Sequence, residues 1–191
     1  KELIENTSFS MGNQDIRAYL NGLFFELNKD SLTVVATDGH RLSIGEVKQN
    51  NDLEERKTVI LPRKAVLELT KLLNKSTQDT AEIHLSDNYF SLIDTNTKII
   101  SRLIDGNFPN YKQVMPTDFS NTIIIDRMDF LSSLQQASIF VDERTKGVKL
   151  VFRDDKLSIF SHSERGRAET QLEVTKQEKE LEIAFNIHYL I

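Results

Sequence analysis

The sequence contains no cysteine. Disulfides, thiolate nucleophiles and zinc–thiolate sites are thereby excluded, and a reducing cytoplasm is the expected compartment. No apolar run approaches the ~20 residues a membrane helix needs, and the first residues lack the basic and apolar regions of a signal peptide, so no membrane partner is expected. A basic excess is missing too: 24 Lys and Arg stand against 29 Asp and Glu, for a net charge of -5. Ordinary duplex binders hold DNA through many phosphate contacts and carry a basic surface, so the acidity argues against a sequence-specific DNA binder. An initiating Met is also absent, as expected of a fragment.

Catalytic signatures are equally scarce. Asp38, His40 and Ser43 invite a catalytic reading, and alternation on a hairpin lets Asp38 and His40 share a face, but a triad needs an oriented nucleophile and an oxyanion hole. There is no G-x-S-x-G, no phosphate-binding glycine loop and no convincing metal cluster; His84, His162 and His188 fall in separate predicted strands or strand ends. The expectation is a protein that is not an enzyme and uses no metal and no cofactor.

What the chain does contain is a core and a repeat. Its 191 residues are 39% hydrophobic, enough to bury one large domain or two smaller ones. Gly22-Leu23-Phe24-Phe25-Glu26-Leu27-Asn28-Lys29-Asp30-Ser31-Leu32-Thr33-Val34 aligns with Gly147-Val148-Lys149-Leu150-Val151-Phe152-Arg153-Asp154-Asp155-Lys156-Leu157-Ser158-Ile159, an offset of 125 residues, which is domain-sized. A helix-like segment precedes each copy, Leu3 to Ser10 and Met128 to Phe140, and the first copy is read as carrying a longer connector with Met11-Gly12-Asn13-Gln14-Asp15.

Periodicity fills in the elements. Pro62 at a first helical position, followed by Val66, Leu69, Leu72 and Leu73, predicts a helix with one apolar stripe. Alternation in residues 81–85 and 181–185 predicts strands with one buried side, and Phe90-Ser91-Leu92 continues the pattern. Asn28-Lys29-Asp30, Ser86-Asp87-Asn88 and Arg153-Asp154-Asp155 punctuate strand pairs, and Asp126 is placed to cap a helix. The result is an α+β fold with antiparallel sheets. Met115-Pro116-Thr117-Asp118 is the expected linker, dividing residues 1–116 from 117–191.

The most specific segment is Ala36-Thr37-Asp38-Gly39-His40-Arg41-Leu42-Ser43. Asp38-Gly39 between two strand-like runs suits a tight turn that needs positive φ, but turn geometry does not explain His40, Arg41 and Leu42. Asp105-Gly106 leads into Phe108-Pro109-Asn110-Tyr111, and Pro62-Arg63-Lys64 opens the predicted helix. Together these segments resemble the beta sliding clamps, the processivity subunits of bacterial DNA polymerase III, over nearly the whole chain. The resemblance implies a middle clamp domain lacking its opening strand and a partial C-terminal clamp domain. In the family, clamp domains build a head-to-tail ring from two chains, with sheets outside and helices on the inner, DNA-facing side.

The resemblance also implies sites. Residues matching Leu20, Thr37, Gly39, His40, Arg41, Leu42, Pro109 and Val114 line a pocket for short peptides of the DNA polymerase III catalytic subunit, the clamp loader and other peptide-motif proteins. Leu20, Leu42, Pro109 and Val114 would offer an apolar floor, with groups near Thr37 and Gly39 fixing orientation. Ordinary core burial is the alternative for Leu20 and Leu42. Where many members carry Arg one residue before the matched Val, this chain has Gln113. DNA-contact candidates are Gln14, Arg17, Tyr19, Arg63 and Lys64, touching backbone without reading sequence; structural hydrogen bonding is the competing reading. Lys64, Lys71 and Lys75, with Glu68, share a helix face that either meets phosphate or is simply solvated. Ile139 and Phe140 match positions that pack on the other chain of the homodimer, against burial in their own core as the alternative. A peptide-binding module that never encircles DNA is the other functional reading.

Overall fold

The computed structural model describes every residue except Asp52, Ser120, Asn121 and residues 176–178. The chain divides into two compact units, Lys1–Tyr111 and Lys112–Ile191.

The first unit opens with helix α1 (Glu2–Thr7) and one 3-10 turn (Ser8–Ser10). Strands β1 (Gly22–Leu27), β2 (Ser31–Thr37), β3 (Leu42–Lys48) and β4 (Lys57–Pro62) follow, then helix α2 (Arg63–Lys75), then β5 (Glu82–Leu85), β6 (Tyr89–Asp94) and β7 (Thr97–Arg102). They form two antiparallel sheets, ordered β3-β2-β1-β4 and β5-β6-β7. Alternation along β1 sends Leu23 and Phe25 into the main core with Ile4, Val34, Leu61, Val66, Leu69, Phe90 and Leu92. Phe24 points the other way, into a second cluster with Val35, Ile60 and Tyr111. β1 is therefore buried on both faces. Each fully covered Leu or Phe contributes about 1.5–3 kcal/mol relative to exposure.

Pro62 ends β4, paired with Gly22, and stands at the cap rather than the first helical position of α2. Its ψ of 143° is extended; pairing in the sheet fixes that conformation, so the helix starts one residue later. The apolar stripe is as read, with Val66 and Leu69 buried and Leu72 and Leu73 packed against the core.

The second unit repeats the plan. Helix α3 (Arg127–Ser138) leads to β8 (Gly147–Arg153), β9 (Lys156–Ser163), β10 (Gly166–Glu173) and β11 (Leu181–Asn186), ordered β10-β9-β8-β11. Asp126 caps α3: Oδ1 accepts from the amides of Met128 (2.8 Å) and Asp129 (3.0 Å). Leu134 and Ala137 pack with Val148, Leu150, Phe152, Leu157 and Ile159.

Two expectations need correction. The first copy carries no insertion, because Glu2 and Gly22 are spaced as Arg127 and Gly147 are. The connector is longer, as read, because α1 stops at Thr7, where α3 continues: Ser8, Ser10 and Gly12 are poor helix formers, and the Ser10 hydroxyl bonds the Ser43 hydroxyl at 2.6 Å. The strands at 81–85 and 181–185 exist, but their apolar sides are not buried, and Ile83 remains 43% exposed. Both β5 and β11 are edge strands of their sheets, where cover from neighbours is least.

Candidate functional site

β2 and β3 stay paired to Thr37 and Leu42, leaving Asp38-Gly39-His40-Arg41 as the turn. Its conformation is fixed by its own side chains. Asp38 Oδ1 accepts from the amides of His40 (2.9 Å) and Arg41 (3.1 Å), and Oδ2 accepts from Arg41 Nε (3.1 Å). Thr37 Oγ1 accepts from the Gly39 amide (3.1 Å) and donates to the Arg41 carbonyl (2.7 Å). Burial alone would raise the Asp38 pKa, but these amides and the guanidinium outweigh it and hold the carboxyl below its ordinary value. Gly39 has φ of +88°, where L side chains are strained. Arg41 further donates to the Phe9 carbonyl (2.9 Å) and lies 5.4 Å over the Phe9 ring. Much of the motif that turn geometry left unexplained thus stabilises the turn itself. His40 is exposed.

Beside the turn lies an apolar surface. Leu42, Tyr19, Ile104 and Phe108, all half-buried, pack against Phe24, Val35, Ile60 and Tyr111. Phe108 stacks on Phe24 with ring centres 4.6 Å apart and planes 13° apart, and Pro109 is exposed next to it. Leu42 and the Phe108-Pro109 segment are thereby brought to one cluster from distant parts of the chain. Leu20 is only 2% exposed, so its side chain offers a ligand almost no surface. Val114 belongs to the second unit and is 71% exposed.

The DNA-contact candidates fare unevenly. Arg17 donates to Asp15 through Nε and Nη2, both at 2.9 Å, and its amide donates to Asp15 Oδ1 at 2.8 Å. The side-chain bond to Arg17 is the main cause that takes the Asp15 pKa down from 3.8 to about 2. The same guanidinium abuts Gly39, where an added Cβ would lie 3.0 Å from Nη2. Arg17 is thus committed to an ion pair beside the hairpin. Tyr19 belongs to the apolar cluster, and Arg63 is half-buried with Nη1 donating to the Met11 carbonyl at 3.2 Å. Gln14, at φ of +59°, and Lys64 are exposed. On α2, Lys64, Glu68, Lys71 and Lys75 face outward with Leu67, and Lys71 pairs with Glu68 at 2.9 Å.

Comparison with known proteins decides the family. Residues 1–110 match the central domain, and residues 112–191 the C-terminal domain, of the DNA polymerase III beta subunit. The chain belongs to the beta sliding clamp family. The Haemophilus influenzae beta sliding clamp is 38% identical over 192 aligned residues, covering 100% of this chain and 52% of that protein. A Pseudomonas aeruginosa sliding clamp solved with bound griselimycin is 34% identical, with a TM-score of 0.93 over 98% of this chain and 51% of that one. The beta subunit of Thermotoga maritima is 29% identical, with a TM-score of 0.91 over 99% of this chain and 51% of that one. The chain spans about half the length of the clamps it matches.

In the C-terminal clamp domain, Ile139 is 70% exposed at the end of α3. Phe140 is half-buried, its ring over Gly166, where an added Cβ would lie 3.0 Å from the ring edge. Neither joins the domain's core cluster.

Sequence reasoning missed one buried group of the clamp chain. Glu26, in the middle of β1, is 4% exposed; Arg56 Nη2 donates to its Oε2 at 2.8 Å, and the Tyr111 hydroxyl lies 3.4 Å from the same oxygen. The available signal was a lone carboxylate inside Leu23-Phe24-Phe25-Glu26-Leu27, because a charge in an otherwise apolar strand needs buried partners. Asp15 was missed as well, and its partner is two residues away.

Proposed function

We propose that this chain is part of a ring-shaped DNA sliding clamp, a non-catalytic processivity factor that encircles duplex DNA and tethers the replicative polymerase. The observation that carries the reading is the match of both domains, in order and from end to end, to the beta subunit. The full-length protein acts in the cytoplasm as a homodimer, joined in part through Ile139 and Phe140. No helix among the described residues is long and apolar enough to cross a membrane.

Partner peptides from the DNA polymerase III catalytic subunit, the clamp loader and other motif-bearing proteins dock beside the β2–β3 turn. Leu42 and Pro109 contact the peptide's apolar anchors, and Leu20 supports the floor from beneath; Val114, in the second unit, is a further peptide-binding candidate. Thr37, Gly39, His40 and Arg41 set the shape and polarity of the rim. A ring retains DNA by topology, so its inner wall needs only weak phosphate contacts, and the net charge of -5 is compatible with that. Lys64, Gln14 and Arg17 are the exposed contacts, Arg17 while paired with Asp15; Arg63 and Tyr19 contribute from half-buried positions that also serve the fold.

The pocket is tested by calorimetry with a partner peptide on a full-length clamp carrying these residues. Leu42→Ala should weaken binding by about 1–3 kcal/mol. Unchanged affinity in a folded variant removes Leu42 from the site.

A further inference from the structure

We infer that Glu26, itself held by Arg56, is a positioning residue for the peptide pocket, fixing through Tyr111 the strap of residues 105–111 that presents Phe108 and Pro109. The inference rests on the peptide-pocket reading above and says what keeps that pocket's wall in place.

The strap leaves the sheet after the Ile104 amide donates to the Ile60 carbonyl at 2.9 Å. Among the described residues, no backbone hydrogen bond then ties residues 105–110 to a neighbouring strand. Side chains must therefore fix its position. Phe108 stacks on Phe24, and the Tyr111 ring sits 6.2 Å from Phe24 at an interplanar angle of 59°. Two residues along the same face of β1, Glu26 receives Arg56 at 2.8 Å and faces the Tyr111 hydroxyl at 3.4 Å. Burial is the main cause that raises the Tyr111 pKa, and the Glu26 charge adds to it, which places phenol and carboxylate in one enclosed environment.

The chemistry of the alternatives points the same way. Glu26 is buried while the Arg56 side chain that pairs with it is 59% exposed, and an apolar residue at position 26 would remove the carboxylate's desolvation cost. Phe24, on the same face of β1, lies among apolar side chains. What a carboxylate adds at position 26 is direction: it accepts from the strap's terminal tyrosine and from Arg56 and so selects one seating of the Phe108-Pro109 wall. Leu42 belongs to the same cluster as Phe108 and Tyr111, so a displaced strap would open the apolar surface beside it.

The test uses a full-length clamp carrying these residues, as wild type, Tyr111→Phe, Glu26→Gln and the double variant. A fluorescein-labelled peptide with Leu and Phe anchors reports pocket affinity by polarisation, duplex DNA binding is measured in parallel, and thermal melting reports the fold. Each single variant should weaken peptide binding about 3- to 10-fold, as expected for one hydrogen bond. The double variant should be no weaker than Glu26→Gln alone, because Tyr111→Phe removes only the bond to the carboxylate that Glu26→Gln already weakens together with the Arg56 pair, and DNA affinity should hold within about twofold. Tyr111→Phe keeps the ring and its packing, so it carries the test even where Glu26→Gln does not fold. Wild-type peptide affinity in folded variants overturns the positioning role, as do parallel losses of peptide and DNA binding that follow the melting temperature. A wild-type protein that binds no peptide overturns the pocket reading itself.

Discussion

The two domains run the same strand order, yet their first strands are buried differently. In β1 the first five residues are all buried, whereas β8 alternates, with Val148, Leu150 and Phe152 covered and Lys149 and Arg153 exposed. Phe24 and Lys149 are the aligned positions. The cause is the cover supplied by residues 104–111, whose rings lie on the outer face of the first sheet. The turns differ too. Asp38-Gly39-His40-Arg41 is held by a carboxylate, a hydroxyl and a guanidinium, while Glu164-Arg165 is a two-residue turn with one amide–hydroxyl bond at 3.3 Å and an exposed ion pair from Arg165 to Glu143. The first repeat thus differs from the second by a layer that covers the outer face of its sheet and by a polar network that fixes its turn.

Exchanging the aligned residues breaks the comparison most directly. Phe24→Lys should cost about 3–5 kcal/mol of stability in urea unfolding, since it deletes a stacked ring and buries an unpaired charge. Lys149→Phe should stay within about 0.5 kcal/mol, as exposed substitutions do. Equal costs would refute two-sided burial as the difference between the domains.

The end of the helical segment provides a second contrast. Ile139-Phe140 in the C-terminal domain aligns with Gln14-Asp15 in the central one, an apolar pair against a polar pair. In a full-length clamp, Phe140→Glu should weaken dimerisation about tenfold or more, because a desolvated interface tolerates an unpaired charge poorly. Sedimentation should show monomer while circular dichroism stays native. A folded, undiminished dimer rejects the interface assignment, and loss of the fold would assign Phe140 to its own core.

The smallest effect concerns Asp15, the polar counterpart of Phe140. Its folded pKa of about 2 lies below the ordinary 3.8, so its contribution is fully present above that ordinary value, declines as pH falls below it, and is gone once pH has fallen through about 2. Carbon-13 NMR titration of the Asp15 carboxyl should find that low midpoint, and Arg17→Ala should return it toward 3.8. A wild-type midpoint near 3.8 would dissolve the pair that anchors the connector beside Gly39.

Local signals made much of this legible. The Gly22 and Gly147 copies, the Asp126 cap and the α2 stripe each depend on residues a few positions apart, and all three are in the structure. Long-range pairing escaped. Nothing near Glu26 in sequence announces Arg56 or Tyr111, which arrive from β4's approach and from beyond β7. Leu20 and Leu42 look alike as letters, but one is buried and the other reaches the surface cluster. Arg17 reads as a free phosphate ligand until Asp15, two residues back, is seen to claim it. Exposure at β5 and β11 depends on which strands end up at sheet edges, a property of the assembled sheet.

The central claim is that these domains belong to a ring that holds DNA by topology. The most direct measurement loads the full-length protein onto nicked circular DNA at low salt, raises the salt, and compares retention before and after the circle is cut. The account predicts that the protein stays on the closed circle through the salt rise and is lost from the linear ends once the circle is cut. Equal retention on circular and linear DNA, with salt alone driving release, would contradict encirclement and leave a peptide-binding module that merely touches DNA.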